Sequence, residues 1–528
     1  MNISRPRPRI PRLFSSAVAA CSALLLFLGM PGIFGWWPLL FIALVPLLLM
    51  VAKLAPRRAA CMGMFCGLLY SISLIYWIVI VLGRYGGLPI WISVAGMAML
   101  ALYMAAYFAF FCLLLSVFAA RSGMRASGRL SGFLLAAPVL WVGLDYLRGF
   151  LFSGFPWMDL GYGLYRQPML IQAADLAGHH LITFALVLVN TLIACVIAGR
   201  SGERRVNNGG WLFVASCVFL LVLCGYSFER YQHYRTIIPL AEQAVVSVAQ
   251  GNIAQDEKWT PAKKQETVAT YLALSEKIVH ENRTDLIIWP ETALPFFPGY
   301  DVLMGRVLDF VRAEKVTLLT GAPSVEIHVQ EGKRKVDTFN SAVLISAEGR
   351  LAGRYDKQHL VPFGEYVPLR SYLPFLEPLV VSVGDFTPGS SFESLQAGRI
   401  KAGVLICFEA IFPDIARQEV SEGSNLLVNI TNDAWYGRTS APYQSFAMAA
   451  FRAVENRRSL VRAANTGLSG FVDPVGKIHL LSPLFHKAAI TSPVALLEKK
   501  TFFTIAGHGF GAFCLFSILP ILLVCRKK

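Results

Sequence analysis

Charge is scarce in this chain. Only 15% of its 528 residues are Asp, Glu, Lys or Arg, against about 25% in an ordinary soluble domain. With 55% hydrophobic residues and a mean hydropathy of +0.53, that shortage excludes a protein that is soluble along its whole length. Cysteine is scarce in one particular place. Nine of the ten cysteines lie in long hydrophobic runs, and only Cys407 does not. A single thiol cannot close an internal disulfide in the C-terminal part, so Cys407 is either a core residue or a nucleophile. Acidic residues are scarce in the N-terminal part. Residues 1–240 hold 18 Lys+Arg and 5 Asp+Glu, whereas residues 241–528 hold 30 and 28.

What fills the first part is apolar sequence. Runs long enough to cross a bilayer, about 20 residues, occur near 13–31, 36–53, 59–82, 88–119, 130–148, 178–198, 210–227 and 503–525. The 130–148 run carries Asp145 and Arg148 at its end. Basic residues collect in alternate connections: Arg5 to Arg12, Lys53 to Arg58, Arg121 to Arg129, Arg200 to Arg205, and Arg526 to Lys528. Such alternation marks cytoplasmic loops. It predicts eight spans, both termini cytoplasmic, and residues 228–500 on the other side. The net charge of +15 is therefore a topology signal, and a nucleic-acid-binding face is not expected. Val18-Ala-Ala-Cys21 has the look of a lipoprotein cleavage box, but the apolar stretch before Cys21 is short and continues past it. The segment reads as a retained first span.

From about residue 240 the pattern changes. Short apolar runs at 244–253, 285–290, 316–321, 341–347, 351–356, 402–407, 425–431, 460–464 and 469–473 read as strands. Amphipathic stretches at 262–281, 301–314, 412–422 and 442–457 read as helices, and Asp473-Pro-Val-Gly476 as a hairpin turn. Strands alternating with helices predict an α/β layered domain over 240–498, between a membrane domain over 1–235 and a last span at 503–525. No repeat of 20–50 residues and no low-complexity tract occurs.

Three apolar runs end in chemistry. Leu286-Ile-Ile-Trp-Pro-Glu291 ends in a carboxylate, Gly353-Arg-Tyr-Asp-Lys357 in an amine, and Gly403-Val-Leu-Ile-Cys407 in the thiol. Reactive groups gather at carboxyl ends of strands in such sheets. A thiol at its ordinary pKa is mostly protonated at pH 7. A carboxylate can take its proton, and an ammonium can favour the thiolate or an oxyanion. Taken singly, each residue has a plain structural explanation. Together, in the contexts Trp289-Pro-Glu291, Lys357-x-His-Leu-Val-Pro-Phe-Gly-Glu365 and Cys407-Phe-Glu409, they form an activated nucleophile.

These contexts resemble the nitrilase superfamily, and more closely its membrane-embedded apolipoprotein N-acyltransferase branch. The likeness is carried by Gln250-Gly-Asn-Ile253, Trp259, Ile288-Trp-Pro-Glu-Thr292, Phe339-Asn-Ser341, Arg354-Tyr-x-Lys357, His359 to Pro368, Asn429 to Trp435, and Trp141…Leu147-Arg148…Ser153-Gly-Phe-Pro-Trp157. It implies an α-β-β-α sandwich beside the membrane helices. It implies Glu291 as general base, Lys357 as electrostatic helper and Cys407 as nucleophile, with Glu365, Glu409 and Asn340 in support. Asn340 and Trp259 match positions linked to substrate placement, and Trp259, Phe363 and Trp435 are carried as substrate-binding residues. Phe408 stands where tyrosine is frequent, Phe339 precedes Asn340 likewise, and Asp145 replaces a frequent glutamate.

The resemblance further implies transfer of an acyl chain from a phospholipid, through a Cys407 thioester, to the α-amine of an S-diacylglyceryl-cysteine apolipoprotein in a bacterial inner membrane. The partners are then phospholipid, apolipoprotein and bilayer, with no cofactor. A membrane-tethered amidase of small substrates, or a non-enzymatic lipid-binding scaffold, would share parts of this pattern. The scaffold does not need an intact Glu291, Lys357 and Cys407, and the amidase does not need eight spans. The apolar stretches Leu360-Val-Pro-Phe363 and Tyr372 to Val380 are expected to line or cover the chain's route. An activated Cys407 is expected to be alkylated well below pH 8. His179-His180 begins a span with no further ligands nearby in sequence, so no metal is expected.

Overall fold

The computed structural model describes residues 11–122, 130–200, 210–254, 260–330, 333–366 and 386–524. Its N-terminal part is a bundle of apolar helices. Among the described residues, five are long and apolar enough to cross a membrane: Arg12–Gly29, Pro56–Ile75, Ile90–Arg121, His179–Gly199 and Gly210–Leu240. Trp37–Val51 and Gly509–Leu523 are apolar but shorter. The first of these is broken into Trp37–Phe41 and Val45–Val51, each with a proline in its first turn. Helix Phe133–Arg148 has 16 residues and ends in Asp145 and Arg148, both buried.

These helices have little amphipathic pattern because both faces meet apolar surroundings. Backbone contact replaces the hydrophobic effect as the packing device. Helix Pro56–Ile75 places Gly63 and Gly67 against helix Ile90–Arg121. A Cβ at Gly63 would lie 2.5 Å from the Phe108 carbonyl, and one at Gly67 would lie 2.8 Å from Ala105 Cα. Helix Gly210–Ile237 instead buries almost none of its apolar surface against the chain, as a lipid-facing helix does.

The C-terminal part contains two six-stranded sheets. The strands are β1 (Glu242–Gln250), β2 (Leu286–Ile288), β3 (Thr317–Gln330), β4 (Lys333–Ile345), β5 (Leu351–Asp356), β6 (Leu395–Ala397), β7 (Ile400–Ile406), β8 (Leu426–Thr431), β9 (Ser459–Ala464), β10 (Gly470–Val472), β11 (Ile478–Leu481) and β12 (Ala488–Leu496). One sheet runs β12-β1-β2-β3-β4-β5 and the other β11-β10-β9-β8-β7-β6. Val246, Val248, Leu286 and Ile288 of the first meet Val404, Ile406, Val428, Ile430 and Val461 of the second in one buried layer. Helices Pro261–Glu281 and Leu303–Glu314 cover the outer face of the first sheet around Trp289. Helices Pro413–Ser421 and Ala441–Asn456 cover the second. The expected α-β-β-α sandwich is what forms.

The second pair of helices does not face water. Phe408, Ile411, Phe446, Phe451 and Val454 share one buried cluster with Leu40, Leu44, Trp157 and Tyr162 of the helical part. Buried ions fasten the same junction. Arg457 donates to Asp175 Oδ2 at 2.7 and 3.1 Å and to Gln172 Oε1 at 2.6 Å, and its guanidinium lies 4.4 Å from the Tyr234 ring centroid. Arg452 bonds Tyr162 at 2.9 Å and Glu455 at 3.0 Å, and Glu455 accepts from His179 N at 3.0 Å.

The Asp473 turn forms as expected, with Gly476 N donating to Asp473 O at 2.8 Å. Three strands were not expected: β6, β11 and β12. β12 pairs antiparallel with all nine residues of β1 and closes the first sheet. Its Pro493 cannot donate to a ladder, which is tolerated here because β12 is an edge strand.

Candidate active site

The turns after β2, β5 and β7 bring Glu291, Lys357 and Cys407 together between the two sheets. Glu291 follows Trp289-Pro290, and Trp289 is anchored by its indole N–H to Ser275 Oγ at 2.8 Å and by stacking on Tyr271. Glu291 Oε1 accepts from Asn340 Nδ2 and Oε2 from the Asn432 amide, each at 2.8 Å. The carboxylate is therefore fixed from both sides, by β4 and by the turn after β8. Its backbone runs so close to β3 that a Cβ on Gly321 would lie 2.4 Å from Thr292 N and 2.6 Å from Glu291 Cα.

Lys357 is buried, with 1% of its surface exposed. Burial works against its charge, but Glu365 foremost and then Glu291 outweigh it, so the ammonium is held well above its ordinary pKa. Its Nζ donates to Glu365 at 2.8 to 2.9 Å and lies 3.9 Å from Glu291 Oε1. Asn340 Nδ2 also reaches Glu365 Oε1, at 2.9 Å. One amide nitrogen thus bridges the two carboxylates. Glu365 Oε2 takes the Val361 N–H at 2.8 Å, which folds the 361–366 loop back over the lysine.

Cys407 has φ +53°, a left-handed conformation for a non-glycine residue. Strain of this kind persists only where the surroundings hold it, and Glu409 does so. Its carboxylate accepts from Ile406 N at 2.6 Å, Gln358 N at 2.6 Å and His359 N at 3.1 Å, and from the Tyr355 hydroxyl at 3.2 Å. Glu409 therefore ties the cysteine turn to the segment following Lys357, while Glu365, not Glu409, is the lysine's own partner. Burial pushes Glu409 up to about 7, against those amide bonds.

Burial, then the charge of Glu291, pushes the Cys407 thiol up to about 12; Lys357 and a Thr431 hydrogen bond oppose them. These influences favour the protonated thiol. Burial and Glu291 thus work against the thiolate that the sequence led us to expect, while Lys357 favours it. Of the two carboxylates beside Lys357, Glu291 is the one whose charge is felt at the sulfur.

The helical part reaches this site directly. Phe155 stacks on Phe408 with centroids 6.4 Å apart and on Trp157 at 5.7 Å. Trp77 packs on Trp157 at 4.8 Å and on Tyr436 at 5.0 Å. Gln444 Oε1 accepts both indole N–H groups, from Trp157 at 2.8 Å and Trp77 at 3.2 Å. Phe408 is thus wholly engaged by rings, including His359 and Phe412, and no hydroxyl is called for at that position.

Phe363 sits in the 361–366 loop at φ +61° and is 38% exposed. Trp435 is half-buried and meets Tyr85 of the helical part edge-on at 5.7 Å. Trp259 and the stretch from Tyr372 to Val380 lie outside the described residues. Sequence reasoning missed Gly321, Asn432 and Gln444. Gly321 lay inside an expected strand, where only the close approach of Glu291 betrays it. His179 and His180 do have a third ligand type beside them, Asp159, with ligand atoms within 4.8 Å. Asp159 is held by Arg148, however, and the two ring nitrogens of His179 face Asp159 at 2.8 Å and Glu455 at 3.3 Å. That set fits a buried charge network.

Both parts of the chain match known families. Residues 22–192 match the family described as apolipoprotein N-acyltransferase N-terminal domain, and residues 245–494 match carbon-nitrogen hydrolase. An apolipoprotein N-acyltransferase of Geobacter metallireducens is 41% identical over 97% of this chain and 95% of its own. Those of Methylococcus capsulatus and Haemophilus influenzae are 34% and 31% identical, covering 86% and 94% of this chain and 85% and 92% of theirs.

Proposed function

The chain belongs to the apolipoprotein N-acyltransferase family, an N-acyltransferase of lipoprotein maturation, and from that premise we propose that Glu291, Lys357 and Cys407 carry its reaction. The acyl donor is a membrane phospholipid, and the acceptor is the N-terminal α-amine of an S-diacylglyceryl-cysteine apolipoprotein. Glu291 takes the thiol proton as Cys407 Sγ attacks the ester carbonyl. The Lys357 ammonium faces the oxyanion that develops. Collapse breaks the C–O bond, Glu291 returns the proton to the departing glycerol oxygen, and a lysophospholipid leaves an acyl thioester. The amine then attacks the thioester carbonyl, Glu291 accepts its proton, and the C–S bond breaks to give the amide and the restored thiol.

The observation that carries this reading is the Asn340 amide bridging Glu291 and Glu365. It separates two carboxylates into two roles. One is free to shuttle protons, and the other keeps the lysine charged. The apolar helices beside the site suit two lipid-anchored substrates, and the basic residues of alternate connections support an inner-membrane protein with the α/β domain on the periplasmic side and both termini in the cytoplasm.

The test is the intact mass of the purified chain after incubation with phospholipid and no acceptor. A fatty-acyl increment on Cys407, discharged by a diacylglyceryl peptide, is the expected result. No adduct, with ammonia released from small amides instead, would make the chain a hydrolase.

A further inference from the structure

The segment Pro31-Gly-Ile-Phe-Gly-Trp-Trp37 joins the first two apolar helices and takes no part in the reaction above. It lines a cavity of about 710 Å³ that also borders Arg166 of the helical part and Arg438 of the α/β part. Ligand sites of a few hundred to a thousand Å³ are usual. None of Glu291, Lys357 and Cys407 lines it, and neither does any Asp or Glu.

Its chemistry has two halves. Arg166 and Arg438 are exposed and form no ion pair among the described residues. Each guanidinium lies over a ring instead, Arg166 at 5.4 Å from Tyr165 and Arg438 at 4.8 Å from Phe485. Two unneutralised guanidiniums in a cavity without acids select an anion, and their planar forks suit phosphate oxygens. Beside them Ile33 is 76% exposed and Phe34 44%, with Phe34 edge-on to Trp36 at 5.5 Å. Exposed apolar and aromatic side chains at a helix end belong at a bilayer surface. Inorganic phosphate would leave that apolar rim unused, and a neutral lipid would leave the arginines unused.

We propose that this cavity is an accessory lipid site, separate from the thiol, in which Arg166 and Arg438 hold the phosphate of an anionic phospholipid while its acyl chain lies over Ile33 and Phe34. The site spans both parts of the chain, so a lipid seated there bridges the membrane helices and the 433–440 segment. That segment follows Asn432, whose amide holds Glu291.

The test reads binding and not acyl transfer, so its outcome is independent of the reaction proposed above. The full chain, as Cys407→Ala to prevent consumption of lipid, is titrated in detergent micelles with dioctanoyl phosphatidylglycerol and followed by native mass spectrometry. Arg166→Gln and Arg438→Gln should each weaken one binding event about tenfold, and the double variant about 100-fold, with the melting midpoint unchanged. Equal binding by the double variant would overturn the proposal. So would dioctanoyl phosphatidylcholine binding as tightly through the same arginines. Displacement of the lipid by millimolar inorganic phosphate would make this a free-phosphate site and overturn it too. Should the double variant lose its melting transition, Arg166→Gln alone, a change at an exposed side chain, must show the tenfold loss.

Discussion

Lys357 Nζ stops 3.9 Å from Glu291 Oε1, beyond hydrogen-bond length, because Glu365 draws it off at 2.8 Å. The carboxylate that we propose as base is thereby kept clear of the ammonium beside it. Glu365→Gln removes the competing charge and lets the ammonium fall back on Glu291. The rate of acyl-enzyme formation should drop about 100-fold or more, with little change in the phospholipid concentration needed for half-maximal rate. A variant that acylates at the parent rate would show that Glu365 has no such part.

Glu291 acts on Cys407 in two opposite senses. Its charge raises the thiol's pKa, and in the proposed reaction it is the base that removes the proton during attack. Glu291→Gln should therefore make Cys407 more reactive toward iodoacetamide at pH 8 while acyl transfer falls by about 10² to 10⁴. Mass spectrometry of the alkylated protein against time, beside the transfer assay, separates the two. Slower alkylation in the variant would contradict the assignment.

Glu409 sets a pH window. Its carboxyl is raised to about 7 from an ordinary 4.5, so the folded chain holds this proton more tightly than the unfolded chain does. The stability it contributes is complete below pH 4.5 and is lost as pH rises through 7, roughly 3 kcal/mol in all. Over the same range the ionised carboxylate becomes the better acceptor for Ile406, Gln358 and His359. Between pH 5 and 8 the melting midpoint should fall while acylation quickens. Glu409→Gln should flatten both trends, and an unchanged pH profile in that variant would remove Glu409 from the account.

Gly321→Ala tests placement without altering a polar side chain. The added methyl would sit 2.6 Å from Glu291 Cα, so the Glu291 turn must shift. A displacement of about 1 Å costs on the order of 100-fold in rate. Circular dichroism should be unaltered while acyl-enzyme formation collapses. Full activity would mean that β3 yields instead.

Much of the site could be read in the sequence because its residues close apolar runs. β5 has the expected bounds, 351–356, and β7 and β8 differ by one or two residues, since their Val, Ile and Leu, buried on both faces, leave a continuous run. The chemistry stood where each run stopped. β12 did not show, because Ala488-Ala-Ile-Thr-Ser-Pro-Val-Ala-Leu496 carries a proline and weak strand formers, and only its pairing with β1 makes it a strand. The state of the thiol did not show either. It depends first on burial and then on how near Glu291 comes, which are matters of distance and not of order along the chain. Arg452, Arg457, Arg458 and Arg462 belong to a segment whose charges nearly balance, yet all four are buried, and Tyr162, Asp175, Ser424 and Asn429 reach them from segments distant in sequence.

The Arg457–Asp175 pair spans 282 positions, and this has a consequence for how the chain is made. Asp175 leaves the ribosome long before its arginine does. Among the described residues of the membrane half, Tyr226 at 2.9 Å and Arg230 at 3.6 Å face it, and His179 has Asp159 at 2.8 Å but not yet Glu455. The membrane half is thus synthesised with open sockets that only the late-made half can fill. A chain cut short before residue 452 would be left with a carboxylate and an imidazole lacking those partners at the edge of an apolar bundle. The last-translated segment serves in effect as a completion signal for the first.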